Sequence, residues 1–282
     1  MNIAVSVNRN FIIPLKVMLF SLYENIKTKE NNLNIFFLNS DLERKDIENI
    51  KQFINKKLNA KLYVINIDEP LFSTSLNNKE ISKETYNRIL LPYILPPKVK
   101  KVLWLDADLV VNGDICDFYN TDIKDYFLLA IEEPRPDRIR ELGLPLEQKH
   151  FNAGVMVLNI EKICSEISKE TMIEYIRVNG SKLKFMDQDV LNVFMGGNTL
   201  FWQDDTYNNV HHCNEVNNLD NARIIHYITY MKPWKYYYDG YGRDYFWSYA
   251  EKCGYKSRKV LHFLLNPLGR VVHKKCHDLK CR

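Results

Sequence analysis

The sequence predicts an α/β fold, with a mostly parallel central sheet and helices on both of its faces. Three observations carry this expectation. Short apolar runs alternate with longer amphipathic segments over the first hundred residues, the pattern of strands joined by crossover helices. The run "VLWL" at 102–105 is apolar on both faces, as a strand covered on two sides must be. That run stops in two carboxylates, Asp106 and Asp108, at the kind of strand end where such sheets bind ligands.

Taken in order, "NIAVSV" is a first strand; it has neither the charged lead nor the cleavage-like end of a signal peptide. An amphipathic helix over 12–27 follows, then the strand "LNIFFLN", a polar-faced helix over 42–58 starting near Asp41, and the strand "KLYVINI". A helix near 84–95 ends before Pro96 and Pro97, because proline cannot continue it. After the strand at 101–105 come two more, in "YFLLAIEE" and "NAGVMVLNI", and helices near 160–178 and 187–196. The stretch 133–150, "EPRPDRIRELGLPLEQKH", reads as a long mobile loop over the site. Composition divides the chain into a main domain at 1–235 and an extension at 236–282, rich first in tyrosine and then in lysine and arginine.

The whole chain has 282 residues, 46% hydrophobic and 26% charged, ordinary for a soluble globular protein. No apolar run approaches the ~18 residues of a membrane span. The six cysteines are scattered, so reduced thiols in the cytoplasm are the expected state. Residues 256–282 hold eight Lys/Arg and one acid, whereas 1–255 hold 31 Lys/Arg and 34 acids. The basic character therefore belongs to the tail, which argues against a nucleic-acid surface on the main domain. In "KVLHFLLNPLGRVVHKK" apolar residues alternate with cations, the pattern of a segment lying on an anionic membrane surface; a packed C-terminal helix with a solvated basic end is the plainer alternative. His273, Cys276, His277 and Cys281 raise a zinc site, but their H-x2-C-H-x3-C spacing is not a standard one.

Two carboxylates one residue apart repel each other and resist burial unless something positive sits between them. Hard carboxylate oxygens suit Mg²⁺ or Mn²⁺, with phosphate oxygens completing the shell. His226, after the apolar pair Ile224-Ile225, could be a third ligand and would shift the preference toward Mn²⁺; a lone histidine is more often structural.

Five stretches in order, "ETYNRILLPYILP" (84–96), "VLWLDADLVV" (102–111), "HFNAGVMVLN" (150–159), "FMDQDVLN" (185–192) and "IIHYITYMKPW" (224–234), resemble the motifs of glycosyltransferase family 8, the family of glycogenin and of bacterial lipopolysaccharide hexosyltransferases. The resemblance implies a GT-A fold, a UDP-sugar donor, Mn²⁺ (or Mg²⁺), retention of anomeric configuration, and a glycan, glycolipid or protein-linked acceptor. Glucose or galactose is the expected sugar. Carried over by position, the metal ligands are Asp106, Asp108 and His226, with Ala107 between the aspartates also at the donor. Arg88 would pair with the donor sugar or diphosphate, the alternative being a surface helix arginine. Asn152, Ala153 and Gly154 match the loop that approaches the sugar, where only small residues let backbone come close. Asp187 and Gln188 match the pair facing the reacting carbon; a helix N-cap is the alternative for Asp187. Lys232 matches the lysine that reaches the diphosphate.

The chain departs from the family at two places. The first strand usually ends in an acidic nucleotide-binding pair, where "SVNRN" has Asn8 and Arg9; Ser6, Asn8 and Asn10 are the expected donor contacts, since an amide can still bond a uracil edge. Thr229 stands where a glycine commonly follows the metal histidine.

A metal and Lys232 would offset charge on the departing UDP, and the sugar would become oxocarbenium-like. Gln188 is a poor nucleophile, and Asp187 and Glu133 are the nearest carboxylates by motif. No well-placed carboxylate is evident, so front-face attack by the acceptor hydroxyl is favoured over a covalent intermediate. Two rival functions remain from other classes. A HAD-like phosphatase would use Asp106 as nucleophile with Asp204-Asp205 as its late acidic pair, although that motif normally sits in the first strand. A non-catalytic sugar-nucleotide or carbohydrate-binding module is the other.

Overall fold

The structure, a computed structural model, describes residues 1–27, 33–67, 83–210, 219–228, 232–235, 238 and 242–256. The basic tail beyond 256 and Thr229 lie outside them, and so do the membrane and zinc expectations placed on that tail.

A sheet of seven strands runs through the middle of the molecule. In chain order these are β1 (Asn2–Ser6), β2 (Leu33–Asn39), β3 (Ala60–Asn66), β4 (Lys101–Leu105), β6 (Leu128–Glu132), β7 (Phe151–Asn159) and β8 (Thr199–Phe201), and across the sheet they lie β3-β2-β1-β4-β7-β6-β8. All pairings are parallel except those of β7, which runs against both β4 and β6. The chain winds outward from β1 to β3 and returns to β4 on the other side of β1. The switch point between β1 and β4 is where an open α/β sheet leaves a crevice at its carboxyl ends.

Alternation along the strands sorts the core into two layers. Ile3 and Val5 of β1 and Leu103 and Leu105 of β4 face α1 (Ile12–Asn25) and α2 (Arg44–Lys57). Ala4, Val102 and Trp104 face α3 (Lys83–Ile94), α6 (Ile160–Glu166), α7 (Lys169–Asn179) and α8 (Met186–Met195). α2 opens at Arg44 rather than at Asp41. Pro92 is tolerated inside the last turn of α3. The single helix expected over 160–178 is two, because Ile167 is extended and Ser168 caps a new start on the amide of Thr171.

In β7 the alternation changes phase. Phe151 and Ala153 share a layer with Met156 and Leu158, while Val155 and Val157 face the other. The ladder to β6 is irregular at the same place: Ala130 pairs with Met156 but Glu132 with Phe151. This bulge leaves 152–155 outside the ladder to β6.

A three-stranded sheet extends the first. β5 (Leu109–Val111) continues from β4 and pairs antiparallel with β10 (Ile224–His226), which pairs parallel with β9 (Asn209–Val210).

Two expectations about chain organisation change. The stretch 133–150 is not all loop: it contains a helix, α5 (Pro136–Glu141), whose Arg138 is 1% exposed and pairs with Asp189 of α8 at 2.6 Å. The compositional break at 235 is not a break in packing. α9 (Arg243–Lys252) buries Phe246, Tyr249 and Ala250 in the same core as α1, and the Tyr249 hydroxyl accepts a hydrogen bond from Asn25.

Candidate active site

The elements converge at the carboxyl end of β4. Asp106 and Asp108 occupy the turn between β4 and β5, and Ala107 between them points into the core. Because β7 runs against β4, its beginning lies beside that turn, and the Asp106 amide donates to the Gly154 carbonyl at 2.9 Å. Pairing of β10 with β5 sets His226 opposite Leu109. One ligand atom from each of Asp106, Asp108 and His226 lies within 4.8 Å of the others. His226 Nε2 is 3.3 Å from Asp108 Oδ1 and 3.9 Å from Asp106 Oδ2.

Cations bracket the acids. Lys232 Nζ is 2.6 Å from Asp108 Oδ2 and also bonds the Tyr227 carbonyl. Burial opposes ionisation of Asp108, yet Lys232 and His226 outweigh it and hold the carboxyl well below the usual range. Arg88, on α3, lies 3.2 Å from Asp106 Oδ1, bonds the Ala153 carbonyl at 2.6 Å and stacks on Trp104, whose indole N–H itself donates to Asp106 at 2.8 Å. The Arg88 Nε also forms an ion pair with Asp187 without hydrogen-bond alignment. Burial lowers the Arg88 pKa, but Asp106 and Asp187 prevail and raise it. Asp187 is 4% exposed, and burial pushes its carboxyl up to about 7 against the pull of Arg88.

Asp187 is not an N-cap. Phe185 holds that position, and Met186 takes a left-handed φ of 48°, a backbone strain at the entry to Asp187 and Gln188. Gln188 is fixed at both ends of its amide. Its oxygen accepts from Ala153 N at 3.0 Å, an N–H that the β7 bulge set free, and its nitrogen donates to Glu133 at 3.0 Å. That backbone N–H and carboxylate settle which end of the amide is which.

A cavity of about 590 Å³ opens over these groups. Of the expected residues, Arg88, Asp106, Asp108, Asn152, Gly154, Asp187, Gln188 and His226 line it. Ala153 acts through its backbone, and Lys232 through Asp108. Ser6, Asn8 and Asn10 do not line it. Ser6 donates to Leu38 and accepts from Asn87, which ties α3 to the sheet, and Asn8 caps a short turn by accepting from Asn10 N. Arg9, where an acid was expected, is an exposed ion-pair partner of Asp46 at 3.5 Å. Asp204 and Asp205 bond turn residues 206 and 209 away from the cavity, which leaves the phosphatase alternative without its acidic pair.

Gly154 has a reason that differs from the one expected. A Cβ there would lie 2.9 Å from His226 Nδ1 and 3.0 Å from Asp106 Oδ2 and would overlap the ring carbon between the nitrogens. The missing side chain makes room for the ligand cluster itself.

The donor set fits a divalent metal. Two hard carboxylate oxygens and one imidazole nitrogen converge, with Arg88 beside Asp106 and Lys232 beside Asp108. Sequence reasoning missed Asn208, 1% exposed, whose Oδ1 is 2.9 Å from His226 Nδ1. Its only signal was an asparagine pair in "YNNV", and asparagines are common in turns.

The glycosyl transferase family 8 model matches residues 2–237. The chain belongs to glycosyltransferase family 8. Among curated relatives it is 24% identical to the glycosyltransferase GlyF of Streptococcus pneumoniae over 89% of this chain, spanning only 61% of that longer protein. It is 24% identical to a lipopolysaccharide 1,2-glucosyltransferase of Escherichia coli K12 over 83% of this chain and 72% of the relative. The fold matches that of the galactosyltransferase LgtC, solved with donor and acceptor sugar analogs, with a TM-score of 0.77 at 20% identity, covering 92% of this chain and 98% of that one. That likeness establishes the GT-A architecture. No helix among the described residues is long and apolar enough to cross a membrane.

Proposed function

We propose that this family 8 chain is a metal-dependent retaining hexosyltransferase, moving glucose or galactose from a UDP-sugar to a glycan, glycolipid or protein-linked acceptor in the cytoplasm. The observation that carries this is the Asp106–Asp108–His226 cluster, which faces Arg88, Asp187 and Gln188 across one cavity.

Asp106, Asp108 and His226 would hold Mn²⁺, or Mg²⁺ with more water in its shell, and the ion would supply Lewis-acid charge neutralisation at the departing diphosphate. Lys232, 2.6 Å from Asp108, adds a second positive charge on that side. Asp187 and Gln188 lie across the cavity and orient the sugar. As the bond from the anomeric carbon to the diphosphate oxygen breaks, the acceptor hydroxyl attacks from the same face, and its proton passes to that departing oxygen. Configuration is then retained without a covalent intermediate. The geometry supports this route: Asp187 is tied to Arg88, and Glu133 is engaged by Gln188, so neither carboxylate is a free nucleophile. The basic segment 256–282 supports reversible contact with anionic lipid, where a lipid-linked acceptor would be concentrated.

The test is UDP release from UDP-Glc, UDP-Gal, UDP-GlcNAc and UDP-GalNAc with Mn²⁺ and with EDTA, and product anomer by NMR. Release with one of the first two donors, lost in EDTA and giving the α-anomer from the α-donor, is expected. No release from any of the four would overturn the assignment.

A further inference from the structure

We propose that Asn208 is a positioning residue for metal binding: it holds the His226 ring in the one tautomer that presents a bare Nε2 to Asp106 and Asp108. The inference rests on the metal assignment above but concerns residues that assignment does not include.

The tautomer follows from a chain of hydrogen bonds with only one consistent direction. It starts at a backbone group whose role cannot change. The Gly154 N–H donates to Asn152 Oδ1 at 2.9 Å, so that atom of Asn152 is the oxygen. The same oxygen receives the amide nitrogen of Asn208 at 3.1 Å, so the other end of Asn208 is its oxygen. That oxygen lies 2.9 Å from His226 Nδ1, and an oxygen there requires hydrogen on Nδ1. The neutral ring then carries its lone pair on Nε2, the nitrogen that faces the two aspartates.

Each member is placed by the fold. Gly154 and Asn152 sit in the bulge of β7. Asn208 is held by its own N–H on the Asp205 carbonyl at 3.0 Å and immediately precedes β9, which pairs with the strand carrying His226. Asn208 and His226 are 1% and 3% exposed, so water does not compete for Nδ1. Partners that fix the far nitrogen of a ligating histidine typically change metal affinity 10–100-fold when removed.

Three proteins test this: wild type, Asn208→Leu and Asn208→Asp, each checked for folding by thermal melt and titrated with Mn²⁺ by EPR, without donor or acceptor. Asn208→Leu keeps the volume and removes the acceptor; its Kd should rise about 10–100-fold. Asn208→Asp keeps an oxygen for Nδ1–H at the expense of the Asn152 bond, and its Kd should stay near wild type. A packing role would order them oppositely, because a buried unmatched carboxylate is worse than leucine. Asn208→Leu at wild-type affinity, or Asn208→Asp weaker than Asn208→Leu, overturns the inference. The ¹⁵N shifts of the neutral His226 ring give a readout that needs no metal. Hydrogen on Nδ1 in wild type, lost from that nitrogen in Asn208→Leu, is the expected result, and hydrogen on Nε2 in wild type refutes it. A wild type that binds no Mn²⁺ yet shows the Nδ1–H tautomer would count against the metal assignment and not against the role of Asn208.

Discussion

Gly154→Ala tests how tightly the ligand cluster is packed. The backbone of Gly154 is not left-handed, so alanine is conformationally allowed and the penalty is steric alone. The clash is worst at the His226 ring carbon between the nitrogens, so the ring must retreat by more than about 1 Å to reach an ordinary 3.4 Å contact, and Asp106 Oδ2 must give way by about 0.4 Å. The ring cannot retreat freely, because Asn208 holds its far nitrogen and the site is buried. Overpacking of this kind costs about 1–3 kcal/mol, offset by about 0.4–1 kcal/mol from the smaller entropy of an alanine-containing unfolded chain. The melting temperature should therefore fall by only a few degrees. Metal ligation is far less forgiving, since ligand distances hold to about ±0.2 Å. Mn²⁺ affinity should drop at least about tenfold while the fold survives. EPR titration of Mn²⁺ beside a thermal melt reads both. An affinity within twofold of wild type would refute the steric account.

Asp106→Asn, Asp108→Asn and His226→Ala should each remove most Mn²⁺-dependent UDP release without unfolding the protein; full activity of either aspartate variant in EDTA sinks the metal assignment. Glu133→Leu should lower kcat about 10–100-fold by freeing the Gln188 amide, and should have little further effect in a Gln188→Ala background; additive losses in that double-mutant cycle mean Glu133 acts some other way. Arg138→Met leaves the Asp189 charge buried at 0% exposure and should cost about 3–5 kcal/mol in a urea melt, with much of it recovered by adding Asp189→Leu; a loss under 1 kcal/mol contradicts a buried pair. Deleting 257–282 should leave donor hydrolysis largely intact and abolish sedimentation with anionic vesicles at low salt; a full-length protein that ignores such vesicles at 50 mM salt has no membrane-binding tail.

What the sequence made legible was what local pattern encodes. An apolar run ending in Asp106 and Asp108, and Ile224-Ile225 ending in His226, each mark a buried strand that terminates in a ligand type. Long-range pairing was not legible. Arg138 sits in a stretch full of prolines and charges, which reads as loop, and its buried partner Asp189 is 51 residues away in sequence. The boundary at 235 is one of composition, and packing crosses it: Phe246 and Tyr249 lie against helix α1 and its neighbours. Arg9 finds its acids elsewhere, in Asp46 on α2 and Glu43 just before that helix.

The bulge in β7 connects these separate features. Had β7 continued its ladder to β6 regularly past Met156, the N–H and C=O of Ala153 would have been consumed by it, whereas Gly154 faces β4, where its carbonyl accepts from Asp106 N. The irregularity between Ala130 and Glu132 frees both backbone groups of Ala153, and these, with the Gly154 N–H beside them, go to different parts of the site. Ala153 N–H takes Gln188, the Ala153 carbonyl takes Arg88, and Gly154 N–H sets the Asn152 amide that leads through Asn208 to His226. The N-A-G string thus links the Arg88 and Gln188 side of the cavity to the Asp106–Asp108–His226 side. A substitution that restored regular pairing there should weaken metal binding and sugar orientation together, even though none of the three side chains is a metal ligand.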